Sequence, residues 1–85
     1  MPWLLKIEKP VYKQLSRIPP DYSRKIVAVI ESLADKPYAG DIEKMKGENY
    51  VWRRRVGDYR IFYKLFPENK TIRVYEVLRR TSKTY

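Results

Sequence analysis

Residues 49–66 read NYVWRRRVGDYRIFYKLF, and the alternation inside this stretch decides the fold. Gly57-Asp58 has the composition of a two-residue hairpin turn, because glycine accepts the left-handed backbone such turns require. Pairing outward from it predicts Val56 opposite Tyr59, Arg55 opposite Arg60, Arg54 opposite Ile61, Arg53 opposite Phe62 and Trp52 opposite Tyr63. Successive side chains on a strand point to opposite faces. One predicted face therefore carries Trp52, Val56, Tyr59, Ile61 and Tyr63 and belongs against a core. The other carries Arg53, Arg55, Arg60 and Lys64, with Phe62 among them. Arg54 falls on the apolar face, where its charge must snorkel to an edge.

Arginines directly opposite across a ladder repel by roughly 0.2–1 kcal/mol. A bound phosphate reverses that sign, since guanidinium forks match phosphate oxygens two at a time and never lose their charge. Phe62 amid the cations offers a ring on which a base can stack. The expectation is that these guanidinium groups converge on one pocket sized for a phosphodiester; the alternative is a solvated basic face without a ligand. Lys44 and Lys46 alternate around Met45 and are expected on the same basic side. The tail RRTSKTY (79–85) adds Arg79, Arg80 and Lys83 and ends on Tyr85.

Upstream, Trp3 to Ile7 reads as a strand ended by Lys9-Pro10. Val11, Leu15 and Ile18 follow at i, i+4 and i+7, one apolar helix stripe opened by Pro10. Pro19-Pro20 breaks that helix and starts a second, in which Ile26, Ile30, Leu33 and Ala34 line a face; Pro37 and Gly40 end it. From Ile42 the period changes from 3.6 to 2, and Thr71 to Leu78 supplies a last, β-branched strand. The predicted fold is α+β, with two N-terminal helices on one face of a small antiparallel, meander-like sheet to which an N-terminal strand is added. Residues 1–85 are expected to form a single domain.

Bulk properties narrow the function. The chain has no cysteine, which excludes disulfides and thiolate metal sites. No run of roughly 18 apolar residues occurs, as a membrane span needs, and the N-terminus does not read as a signal peptide; a cytoplasmic location is expected. Net charge is +9. Up to Gly40 there are seven basic and four acidic residues, net +3; from Asp41 onward there are twelve and six, net +6. A basic excess concentrated in one half is the footprint of a nucleic-acid binder.

Residues 44–85, KMKGENYVWRRRVGDYRIFYKLFPENKTIRVYEVLRRTSKTY, resemble the RelE/ParE toxin superfamily. The resemblance rests on the K-x-K-G turn, the W-R-x-R-V-G-D-Y-R run, and a final strand ending in a basic pair. The strand and two helices before them match as well. RelE-type members imply a toxin of a type II toxin–antitoxin system that cleaves messenger RNA on the ribosome, without a metal or other cofactor, by attack of a ribose 2′-hydroxyl on the adjacent phosphorus. By that resemblance Arg53 and Arg55 orient the RNA, Arg60 stabilises charge on the phosphate, and Arg79 or Arg80 assists the leaving group. Tyr85 stacks on a base or moves a proton. Lys44, Lys46, Phe62, Lys64, Arg80 and Lys83 complete the RNA-binding set. Many relatives carry a histidine before the last-strand arginine, where this chain has Arg79. ParE-type members, which poison DNA gyrase, share the fold without the full basic set. A non-catalytic nucleic-acid-binding module is a third reading.

The chemistry has to work without histidine, for the chain has none. Asp41, Glu43, Glu48, Asp58, Glu68 and Glu76 read as scattered, against a two-metal site. What remains is electrostatic catalysis, in which aimed cations stabilise developing charge on phosphorus. A toxin also needs a silencing partner. The basic face and the helix grooves predict an antitoxin that brings an amphipathic, acidic helix.

Overall fold

The computed structural model describes residues 2–45, 47 and 50–79. Strand β1 (Leu4–Ile7) leads into helices α1 (Lys9–Ser16) and α2 (Pro20–Leu33), followed by strands β2 (Ile42–Lys44), β3 (Val51–Val56), β4 (Tyr59–Phe66) and β5 (Thr71–Arg79). Prolines punctuate the helices. Each helix has one in its first turn, where the missing N–H removes no intrahelical bond. Pro19, extended at φ −52° and ψ 140°, separates them.

The five strands form one sheet in the order β1-β5-β4-β3-β2. The β3–β4 hairpin has the expected register at all five pairs, and Val51 stands opposite Lys64. Strands β2 to β5 run antiparallel, whereas β1 adds to β5 in parallel, so the sheet is mixed. A parallel neighbour needs a long crossover, and here the connection runs through both helices and three strands.

One face of the sheet and the two helices make the core. Val11, Ile26, Ile30 and Leu33 meet Tyr59, Ile61, Tyr63 and Leu65 of β4 and Ile72, Val74 and Val77 of β5. Burying each such side chain contributes roughly 1.5–3 kcal/mol. The central strand β4 alternates buried and half-buried at every residue, as a strand with one covered face should.

Two irregularities shape the open face and the loop at its edge. First, the β4–β5 register slips between Phe62 and Tyr63. Phe62 faces Glu76 while Tyr63 faces Val74, which leaves Tyr75 as an extra residue. This bulge returns Val77 to the core and leaves Tyr75 beside Phe62 on the face away from the helices. The Val77 N–H donates to Gln14 Oε1 of α1 at 2.7 Å. Second, Arg54 reaches under the α2–β2 connection, where its Nη1 donates to the Ala39 carbonyl at 3.0 Å. Gly40 has φ +90°, and a Cβ there would overlap the Arg54 guanidinium. Arg54 is thus a loop anchor rather than a snorkelling charge. Tyr63 donates weakly to the Pro37 carbonyl at 3.5 Å, and Tyr38 lies edge-on between Trp3 and Trp52.

Candidate nucleic-acid cleft

Because Arg53, Arg55 and Arg60 alternate away from the core, they meet on the open face. They line a cleft of about 230 Å³ together with Asp41, Ile42 and Glu43. Arg55 and Arg60 are direct partners across the ladder. The predicted convergence of these three arginines is therefore present.

The cleft is not the bare cationic pocket expected, however. Edge strand β2 pairs Glu43 with Arg53, and the Glu43 carboxylate accepts a hydrogen bond from Arg53 Nη2. Asp41 Oδ2 lies 3.8 Å from Arg55 Nε, and the Asp41 carbonyl accepts the Arg55 N–H at 3.0 Å. Two arginines thus carry internal carboxylates. Both acids are well exposed, with side chains 68% and 62% accessible for Asp41 and Glu43, so each pair contributes only about 0–1 kcal/mol. A phosphodiester, which accepts several charge-assisted hydrogen bonds at once, can displace them.

Two further expectations are corrected by register. Lys44 pairs with Trp52 and so shares the helix side of the sheet; Glu43, one residue earlier, takes the place beside Arg53. Lys44 only borders a shallow edge groove with Glu43, Met45 and Arg53. Arg79 pairs with Tyr59, a core residue, while Leu78 stands opposite Arg60. The Arg79 side chain consequently belongs to the face opposite the cleft. Lys46, Arg80, Lys83 and Tyr85 lie outside the described residues.

Phe62 and Lys64 are on the open face as expected. Phe62 packs against Tyr75 with centroids 6.3 Å apart, and Lys64 Nζ sits 5.4 Å from the Tyr75 ring. Tyr75 escaped the sequence reading. Its signal is the broken alternation in Thr71–Arg79, where period 2 puts Val77 on the wrong face unless one residue bulges. Asp41 and Glu43 also escaped; their signal is an acid–x–acid alternation that antiparallel pairing lays against Arg-x-Arg. Among the described residues no group of three or more acidic side chains is placed to hold a metal ion.

Known proteins share this architecture. Residues 4–83 match the family of the ParE toxin of the type II toxin–antitoxin system parDE. The chain is 31% identical over 83 residues to a Methanocaldococcus jannaschii protein named "Putative toxin RelE1", covering 94% of this chain and 92% of that one. It superposes on the archaeal RelE–RelB complex structure from Pyrococcus horikoshii OT3 with TM-score 0.83 and 28% identity, over 96% of this chain and 99% of the other. The isolated E. coli RelE toxin shares the fold at TM-score 0.80 and 13% identity, over 96% and 88% of the two chains. The chain belongs to the RelE/ParE superfamily of type II toxins.

Proposed function

We propose that this chain is a ribosome-dependent messenger-RNA endonuclease of the RelE type. One observation carries the reading: Arg53, Arg55 and Arg60 from adjacent strands line a single cleft. In the step proposed, a ribose 2′-oxygen bonds to the adjacent phosphorus as the P–O5′ bond breaks. The 2′-hydroxyl proton leaves and the departing 5′-oxygen takes one up, which yields a 2′,3′-cyclic phosphate and a 5′-hydroxyl. Arg60 stabilises the extra negative charge on phosphorus, while Arg53 and Arg55 exchange their carboxylates for phosphate oxygens and hold the strand in line. With Arg79 on the opposite face, the leaving-group role passes to Arg80, and Tyr85 is the group assigned to stacking or proton transfer. The ribosome supplies the message in attack-ready geometry. The natural partner is an acidic, amphipathic antitoxin helix, as the +9 charge and the exposed Tyr12, Tyr22 and Val27 of the helix layer favour. The working compartment is the cytoplasm, where messages are translated.

A second reading, a gyrase-inhibiting toxin that acts by binding alone, is favoured by the ParE family match and by the two carboxylates inside the cleft. Expression of the wild type and of Arg60→Ala, with mapping of message 5′ ends, separates the two. The endonuclease reading expects codon-phased cuts, reduced on the order of 100- to 1000-fold in the variant. Supercoiling defects with intact messages would instead establish the gyrase reading.

A further inference from the structure

The outward residues of β4 alternate in kind: Arg60, Phe62, Lys64, Phe66. Cations and rings also meet across the strands. Lys64 rests on Tyr75, Arg73 lies 6.0 Å from the Phe66 ring centre, and Tyr50 stacks on Phe66 at 6.0 Å and 28°. Beyond Phe66 is a groove of about 320 Å³ lined by Tyr50, Phe66, Pro67, Glu68 and Asn69. Tyr50 is 52% exposed, so its ring is open to a ligand. Phe66 lies six residue steps beyond Arg60, or about 20 Å at 3.3 Å per residue.

We infer that the Tyr50–Phe66 groove is a distal nucleobase subsite, joined to the arginine cleft by the Phe62–Lys64–Arg73 surface, so that one single-stranded RNA occupies both. This rests on the RNA-directed reading above. Rings supply stacking to any base, neighbouring cations follow the phosphates, and the Asn69 amide offers a donor and an acceptor to a base edge. A protein segment is the competing occupant. RNA fits better because two cations lie against rings between the cleft and the groove, Lys64 on Tyr75 and Arg73 on Phe66, an interleaving that an apolar peptide stripe would not use.

The test is fluorescence anisotropy with labelled single-stranded RNA of increasing length. It uses the full chain as wild type, Tyr50→Ala, Phe66→Leu and, as a control on the helix layer, Tyr12→Ser. Affinity is expected to step up once the RNA is long enough to reach the groove. Tyr50→Ala and Phe66→Leu should remove that step, a loss of roughly 5- to 150-fold on long RNA. They should leave short-RNA binding and the salt slope unchanged, because no cation is lost. An abasic nucleotide at the distal position should reproduce the loss in the wild type. Tyr50 is exposed enough that its truncation keeps the fold should Phe66→Leu not. No length step, equal losses on short and long RNA, or indifference to the abasic nucleotide would each overturn the subsite while leaving the cleft reading intact. A wild type that binds no RNA at any length in low salt would overturn both.

Discussion

Arg55 and Arg60 stand directly opposite one another across the β3–β4 ladder, and Asp41 is held beside Arg55 through both its carbonyl and its carboxylate. The repulsion between two facing arginines is thus offset by an anion built into the neighbouring strand edge, and Glu43 does the same for Arg53. On the proposed RNA-directed reading, these carboxylates compete with phosphates for the same guanidinium groups. In Asp41→Asn/Glu43→Gln the cleft loses two negative charges. RNA affinity at low salt should rise by up to about tenfold while stability falls by about 2 kcal/mol or less. Anisotropy titrations and thermal melts read the two effects. A fall in affinity would mean that the acids take part in RNA recognition rather than compete with it.

Three consecutive arginines carry two different duties. Arg53 and Arg55 point into the cleft, whereas Arg54 points the other way and holds Ala39 and Gly40. Replacing Arg53 or Arg55 by glutamine should flatten the dependence of log K on log salt by about 0.7 for each phosphate no longer neutralised, with little change in melting. Arg54→Gln should do the reverse, leaving the salt slope in place and costing about 1–3 kcal/mol as the loop loses its anchor. Equal salt effects for all three would remove the distinction.

The hairpin was legible because its signals agree: a Gly-Asp turn, period-2 alternation, and bulky residues on one face only. That agreement was enough to locate Arg53, Arg55, Arg60, Phe62 and Lys64. Lys44 was misplaced because its face was read within its own segment, while β2 takes its face from register with β3. Arg79 entered only through the family resemblance, as one of two candidates, and the bulge in β5 turns it to the helix side. Arg54 was opaque because its partners, Ala39 and Gly40, lie in an irregular loop that carries no period.

A side chain from another layer satisfies the backbone beside that bulge. Gln14 of α1 accepts the N–H of Val77, a residue only 3% exposed, just past the slip that leaves Tyr75 beside Phe62. In Gln14→Ala this donor is buried without a partner, at a cost of about 1–3 kcal/mol. Gln14→Glu keeps an acceptor oxygen and should retain most of the stability. Urea unfolding of the pair, with amide exchange at Val77, checks the assignment. An alanine variant as stable as the wild type would show that water or a shifted register satisfies the bulge instead.

One buried hydroxyl links folding to alkaline pH. The Tyr63 hydroxyl is pushed up to about 12 from its ordinary 10; burial raises it, the nearby Arg54 charge lowers it, and Tyr38 raises it again. The folded state therefore holds the proton more tightly than the unfolded chain does. That preference is fully present below pH 10 and is lost as pH rises through 12, worth roughly 2–3 kcal/mol across the window. Stability should fall between pH 10 and 12 in the wild type. Tyr63→Phe keeps the ring and has no proton to lose, so it should show a shallower fall over the same interval. Denaturant melts at stepped pH, with tyrosinate absorbance followed in parallel, measure the difference. Parallel curves for the two proteins would mean that alkaline unfolding is governed by another group, and that the ring rather than the hydroxyl is what Tyr63 contributes beneath the Pro37 carbonyl.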